Sequence, residues 1–357
     1  MHLALRRAEA FAARFGLRLP MLLAPMAGAC PVGLSAAVAQ AGGMGALGAL
    51  LLDAAAIADW VARYRIASGG PLQINLWVPD PPPLRDAAHE TALREFLARH
   101  GPPVPAAAAD TPLQDFEAQC AALLAARPTA VSSIMGLYPP AFVEQLKAAG
   151  IAWFANVTTV AEARAAEAAG ADVIVAQGAE AGGHRGAFDA AMARDAAVGL
   201  FALLPQVVDA VKLPVVATGG VADARGVAAA LLLGASAVQP GTALLRTPEA
   251  GIAPVWAAAL GEATPEGTRL TRAYSGRWGR SLATQYVHDA AAPDAPEPAP
   301  YPVQRGLTAA MRKAAEAAGD LQHLQAWAGQ AAGLAQARPA AEVVQGLWRG
   351  ATELLRG

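Results

Sequence analysis

The sequence predicts an α/β protein built on a (β/α)8 TIM barrel, and three observations carry that prediction. Short apolar runs alternate eight times with longer alanine-rich stretches over about 240 residues. Most of the runs close on Gly, Pro, Asn or Gln, residues suited to turns and to neutral polar sites. No break in composition separates the eight units, which favours one closed sheet over the alternative, a doubly wound one.

Taken in order, residues 1–15 alternate Arg6, Arg7, Glu9 and Arg14 with apolar positions. That pattern predicts a short amphipathic helix and lacks the continuous apolar region of a signal peptide. Leu19 to Ala24 predicts the first strand, closed by Pro25-Met26-Ala27-Gly28, and Pro31 to Gln40 a helix stopped at Ala41-Gly42-Gly43. Met44 to Gly48 is the second strand, followed by a helix from Asp53, whose carboxylate suits an N-cap, to Ile66. Leu72 to Leu76 is the third strand. A mostly helical insertion with proline clusters then runs to about Arg127. Thr129 to Met135, Ile151 to Val157 and Asp172 to Val175 are the fourth, fifth and sixth strands, with helices near 140–149 and 159–169 between them. A helix from Asp195 to Val211 leads to Pro214 to Thr218, the seventh strand. Asp223 to Leu233 leads to Ala235 to Gln239, the eighth.

After Thr247 the character changes. Ala290 to Pro302 reads as an extended arm, and helical patterns follow near Thr308 to Ala318, Leu321 to Ala335 and Pro339 to Leu355. The expected division is a barrel over residues 1–260, with its insertion at about 78–127, and an arm with helices over 261–357. These helices and the insertion would form a small lobe over the barrel mouth, because apolar helix faces need burial.

Composition excludes several classes. Lys+Arg 27 against Asp+Glu 29 leaves no basic field for nucleic acid. Only 16% of residues are charged and 55% are hydrophobic, which argues against disorder. Two charge-free stretches, 19–52 and 226–245, are broken by Pro and Gly before they reach the length of a membrane span. Two cysteines, Cys30 and Cys120, cannot build a disulfide framework and fit a reducing cytoplasm. The six histidines lack metal-ligand spacing, so no metal is expected.

The chemistry centres on Ala176-Gln177-Gly178-Ala179-Glu180-Ala181-Gly182-Gly183-His184-Arg185-Gly186. A strand running into this glycine-rich loop puts His184 at a strand's C-terminal end, where a barrel keeps its site. Gly219-Gly220 and Gly241-Thr242 follow the seventh and eighth strands, the positions at which the fold binds phosphate through backbone N–H groups. Asn75, Gln177 and Gln239 end apolar strands. Each amide could simply satisfy backbone groups, but with a phosphate cradle and one histidine they fit a flavin mononucleotide site better than a sugar phosphate site. Paired carboxylates, a nucleophile elbow and a P-loop are all missing.

These residues resemble those of the nitronate monooxygenase (2-nitropropane dioxygenase) family of FMN-dependent barrels. The resemblance is carried by residues 24–28, 41–45, 75–76, 176–186, 217–221 and 239–242, and by Ser275-Gly276-Arg277 and Tyr301-Pro302-Val303-Gln304. The tail motifs, with Trp327-Ala328-Gly329-Gln330, resemble the bacterial class that oxidises propionate 3-nitronate. By that resemblance Pro25, Met26, Asn75, Gln177 and Gly182 would line the flavin, and Gly219, Gly220, Gln239, Gly241 and Thr242 would hold its phosphate end. His184 would be the active-site histidine, acting as a cationic or hydrogen-donating group, or as a base toward nitroalkanes; Tyr301 would face the substrate. The implied reaction is oxidation of alkyl nitronates by dioxygen to carbonyl compounds with nitrite or nitrate, in a cytoplasmic monomer or homodimer. Departures at Pro240, Ala29-Cys30 and Ser133-Ile134-Met135-Gly136 bear on pocket shape. Two alternatives stay open: an NAD(P)H-dependent FMN reductase of quinones or enoyl thioesters, and a non-catalytic flavin-binding barrel.

Overall fold

The apolar runs become the staves of a closed barrel in the computed structural model, which describes residues 2–357. Seven of the staves form one parallel sheet in the spatial order β1 (Gly45–Gly48), β2 (Leu72–Trp77), β3 (Ala130–Ile134), β4 (Ala152–Val157), β5 (Val173–Gln177), β7 (Val215–Thr218) and β8 (Ala237–Val238). All are buried on both faces, which is why they read as continuous apolar runs rather than as alternation.

The first expected strand, Leu19 to Ala24, is shorter than the sequence suggests. Only Met21 and Leu22 make bridges, to Val238 of β8 and to Met44 beside β1. Pro20 removes one N–H from the ladder, so pairing is limited to what the remaining groups supply. Leu22 N–H donates to the Val238 carbonyl at 2.9 Å and Leu23 N–H to that of Met44 at 2.9 Å. These bonds close the sheet.

The helix Leu3–Arg14 plugs the barrel from below. Its Phe11, together with Phe15 and Leu17, packs onto Phe154, Val175 and Val216, with the Phe15 and Phe154 rings 5.1 Å apart. Around the sheet the helices Val32–Ala41, Ala54–Ala67 and Phe116–Ala126 follow one another in contact. The eighth helix of the ring comes from the far end of the chain. Ala340–Arg356 packs between Val32–Ala41 and Ala224–Leu232, burying Val344, Leu347 and Ala351 in the barrel core. The chain between β8 and this helix is therefore an excursion above the barrel mouth.

That excursion contains the main differences from expectation. Leu321 to Ala335 is not a helix. It runs irregularly, bridges β10 (Gly279–Leu282) through Ser281 and Trp327, and carries only a short 3-10 turn at Ala332–Leu334. The helix expected from Asp195 begins at Leu200, where the Glu180 carboxylate accepts the Leu200 N–H at 2.9 Å. A small antiparallel sheet, β6 (Gly183–His184), β10 and β9 (Thr268–Thr271), went unread, as did the helix Pro254–Glu262. A second apolar cluster joins Leu93, Phe96 and Val104 of the insertion to Tyr274, Tyr286, Val303 and Met311 of the tail.

Candidate active site

A cavity of about 340 Å³ opens at the C-terminal ends of the barrel strands. Its lining includes Pro25, Met26, Asn75, Gln177, Gly182, His184, Gly219, Gly220, Gln239, Gly241 and Thr242. Eleven of the twelve site residues expected from the sequence thus come together. The twelfth, Tyr301, lines an adjoining cavity of about 400 Å³ on the far side of Trp77, and its ring lies 5.3 Å from that indole.

The loop from β5 to His184 is held by its own polar groups. Gln177 donates through Nε2 to the His184 carbonyl at 3.0 Å and accepts the Gly186 N–H on Oε1 at 2.8 Å. Its amide therefore sets the loop rather than reaching freely into the cavity. Arg185, only 1% exposed, turns inward and donates to the carbonyls of Gly178 at 2.6 Å and Gln177 at 3.3 Å. Arg280 donates to the Ala179 carbonyl at 2.9 Å, and the backbone of His184 pairs with Gly279 of β10. Gly182 has to be glycine for a steric reason: a Cβ there would lie 2.5 Å from Gly329 N and 2.9 Å from Thr242 Oγ1.

The His184 ring stands between two indoles, 4.7 Å from Trp77 and 4.8 Å from Trp327. Its Nε2 is 2.8 Å from Ser275 Oγ. That hydroxyl also accepts the Arg277 N–H at 3.3 Å and has the Arg277 carbonyl at 3.3 Å. The shorter approach favours donation from Ser275 to Nε2, which leaves the ring proton on Nδ1, and Nδ1 has no partner among the described residues. The imidazole keeps some surface on the cavity but is enclosed by packed side chains. Burial, then the nearby charges of Arg277 and Arg305, holds its pKa down to about 3. The cationic form raised as one possibility by the sequence is thus disfavoured, and the neutral, hydrogen-donating form is the one present near neutrality.

The loops after β7 and β8 also line the cavity and carry backbone donors left free among the described residues. Among the described residues, the N–H groups of Gly219, Gly220, Gly241 and Thr242 find no acceptor. Gly219 and Gly220 take φ of +101° and +72°, a conformation only glycine adopts readily. Free backbone N–H groups in successive turns are donors of the kind that can receive an anion. Thr242 Oγ1 accepts the Gly329 N–H at 3.0 Å, tying the tail to the loop after β8.

The family model described as Nitronate monooxygenase matches residues 11–350. The nitronate monooxygenase of Paraburkholderia phytofirmans is 41% identical over 341 residues, covering 94% of this chain and 92% of that one. The chain belongs to the nitronate monooxygenase family. A nitronate monooxygenase from Pseudomonas aeruginosa is 39% identical, covering 98% and 99% of the two chains. Among solved structures, a nitroalkane oxidase from Streptomyces ansochromogenes superposes with a TM-score of 0.87 at 37% identity, covering 97% and 99%. The protein is therefore an oxidoreductase.

Within this nitronate monooxygenase fold, several cavity residues escaped the sequence reading. Trp77 is the last residue of β2 and gives no pattern signal beyond its aromatic ring. Asn156 of β4, 7% exposed, lines the cavity with Nδ2 unpartnered. Its position near a strand end matches that of Asn75 and could have flagged it. Arg277, singled out with Ser275-Gly276 but given no role, does not line the cavity; it is buried near His184 and ion-paired through Nε to Asp80 Oδ2 at 2.7 Å, joining the tail to the segment after β2. Arg305, Arg312 and Gln325 reach the cavity from the tail, far from any glycine-rich loop.

Proposed function

We propose that the chain is an FMN-dependent nitronate monooxygenase, oxidising alkyl nitronates such as propionate 3-nitronate with dioxygen to carbonyl compounds and nitrite or nitrate. The observation that carries the reading is the pairing, in one cavity, of free backbone N–H groups after β7 and β8 with a neutral histidine between two indoles. These donors suit a phosphate, and the cavity offers the apolar and amide surfaces a flavin ring needs. Pro25 and Met26 supply apolar wall, and Asn75 and Gln239 add amide edges. The orphaned Asn156 Nδ2 is a further donor awaiting an acceptor on a bound molecule.

FMN, when bound, supplies the electron acceptor and the site at which dioxygen is reduced. The chain's own part is recognition and electrostatics. In the neutral form inferred here, His184 Nδ1–H donates to an oxygen of the nitronate, with Ser275 fixing the ring and Gln177 fixing its backbone. Trp77 and Trp327 exclude water on either side of the imidazole, which strengthens that hydrogen bond. The segment after β2 and the tail meet at the Asp80–Arg277 pair and cover the mouth. Both cysteines are buried and unpaired, in keeping with a cytoplasmic protein.

Oxygen consumption in the presence of ethyl nitronate tests the reading. Wild type is expected to consume oxygen and release nitrite, and His184→Ala to lose about a hundredfold in kcat/KM while retaining FMN. Equal turnover by the variant would remove His184 from the reaction.

A further inference from the structure

Behind Trp77 lies the second cavity, of about 400 Å³, which the chemistry proposed for His184 leaves unused. Trp77 and Leu50 line both cavities, so the wall between them is one side chain thick. The Trp77 indole meets the His184 ring at 4.7 Å and the Tyr301 ring at 5.3 Å. From there the second cavity reaches Leu113, Pro81 and Pro82, which are exposed to solvent. Its walls carry no unpaired charge among the described residues. Asp80 is held by Arg277 at 2.7 Å, and Arg85 by Asp110 at 3.1 Å and Glu90 at 2.8 Å. Gln119 spends its Nε2 on the carbonyls of Ala49 at 3.1 Å and Leu52 at 2.7 Å, and Thr111 Oγ1 donates to the Ala108 carbonyl at 3.1 Å. Pro79, Pro81, Pro82, Pro83 and Pro302 supply wall without a backbone N–H. Burial pushes the Tyr301 phenol pKa up, so that group stays uncharged. Val78, Leu113, Phe116 and Val303 are apolar. An anion entering here would shed its hydration and find no free counter-charge, whereas a neutral apolar molecule would be favoured over water.

We propose that this second cavity is a binding and entry site for dioxygen, which passes Trp77 to reach the cavity holding His184 by a path separate from the nitronate's. The proposal rests on the function proposed above, which requires dioxygen, and deepens it. Dioxygen is uncharged, has no hydrogen-bond donor and is a poor acceptor, so it moves favourably from water into apolar surroundings. Apolar cavities hold no ordered water and admit small apolar gases. The partition is a side chain and not backbone. A rotamer change of Trp77 therefore opens it without breaking the pairing of β2 with β3.

Xenon tests occupancy without turnover. Xenon-pressurised crystals of the FMN-loaded protein are expected to show the gas in the second cavity beside Trp77, and Leu113→Trp, which fills that cavity from its exposed end, is expected to exclude it. Delivery is read by photoreducing the bound FMN with no nitronate present and mixing it with oxygenated buffer. The second-order rate constant for reoxidation is expected to fall at least about threefold in Leu113→Trp, while anaerobic reduction by ethyl nitronate keeps its wild-type rate. Pro82→Trp, at the same exposed end, is expected to act alike and carries the test if the first variant does not fold. Absence of xenon from the wild-type cavity would overturn the proposal. Wild-type reoxidation rates in the filled variants would overturn it too, because dioxygen would then enter by the barrel mouth. Equal falls in reduction and reoxidation would refute it by showing that filling the cavity disturbs the main site as a whole. A wild type whose FMN ethyl nitronate fails to reduce would defeat the proposed function, while xenon and the reoxidation of photoreduced protein would still decide whether this cavity serves dioxygen.

Discussion

His184 shows how much a single residue's setting decides. An exposed imidazole titrates near pH 6.5, but this one sits between two tryptophans with Arg277 and Arg305 close by, and its pKa is about 3. The unfolded chain binds a proton there below about pH 6.5 that the folded chain binds only near pH 3. Below pH 6.5 the unfolded state therefore holds more protons, and His184 lowers native stability progressively as pH falls through that window. Above pH 6.5 both states are neutral and the effect disappears. Histidine-detected NMR of the ligand-free protein should show the His184 ring unchanged between pH 8 and 5; a titration midpoint near 6.5 would mean the enclosure described here is wrong. The residue was legible because a histidine in a glycine-rich loop after a strand stands out. Its walls were not. Trp77 and Trp327 lie 250 residues apart and meet only because the tail folds back over the barrel.

At the level of elements, the six strands from β1 to β7 in the barrel sheet were read to within a residue or two, because glycine and proline mark their ends and burial on both faces leaves unbroken apolar runs, whereas the first and last expected strands shrink to Met21–Leu22 and Ala237–Val238. Two kinds of element escaped. The β6–β10–β9 sheet has strands of two to four residues, too short for any period to show. Leu321 to Ala335 has helical composition but extends and turns, because its backbone groups are claimed from outside: Leu282 N–H donates to the Ala326 carbonyl, and Gln330 N–H to that of Glu180, each at 2.9 Å. Tertiary pairing overrides alanine's helix preference there. This crossing makes Gly182→Ala informative. Its Cβ would press on Gly329 N and on the Ala328 carbonyl carbon at 2.7 Å, backbone atoms that cannot rotate away. The substitution is expected to destabilise the protein by about 1–3 kcal/mol and to weaken FMN binding, read by thermal unfolding and flavin titration. An unchanged melting temperature would show that tail and loop are not packed as described.

For the whole molecule, the sequence conveyed a barrel but not how the chain closes it. Ala340–Arg356 completes the helical ring, yet about a hundred residues separate it from β8, and only the three-dimensional fold shows the two to be one βα unit. The intervening excursion supplies Arg305, Arg312 and Trp327 to the cavity and Ser275 to the His184 ring, so the barrel brings His184 and the free N–H groups after β7 and β8 while the excursion brings walls and positive charge. Family membership is fixed by the match over residues 11–350; what the site does with its contents is the claim to test. The most direct measurement is an anaerobic visible spectrum of the purified protein, taken before and after ethyl nitronate and, separately, after NADPH. The expected result is a yellow protein, releasing FMN on denaturation, that nitronate reduces at once and NADPH leaves oxidised. Reduction by NADPH with no response to nitronate would contradict it and identify the barrel as a reductase.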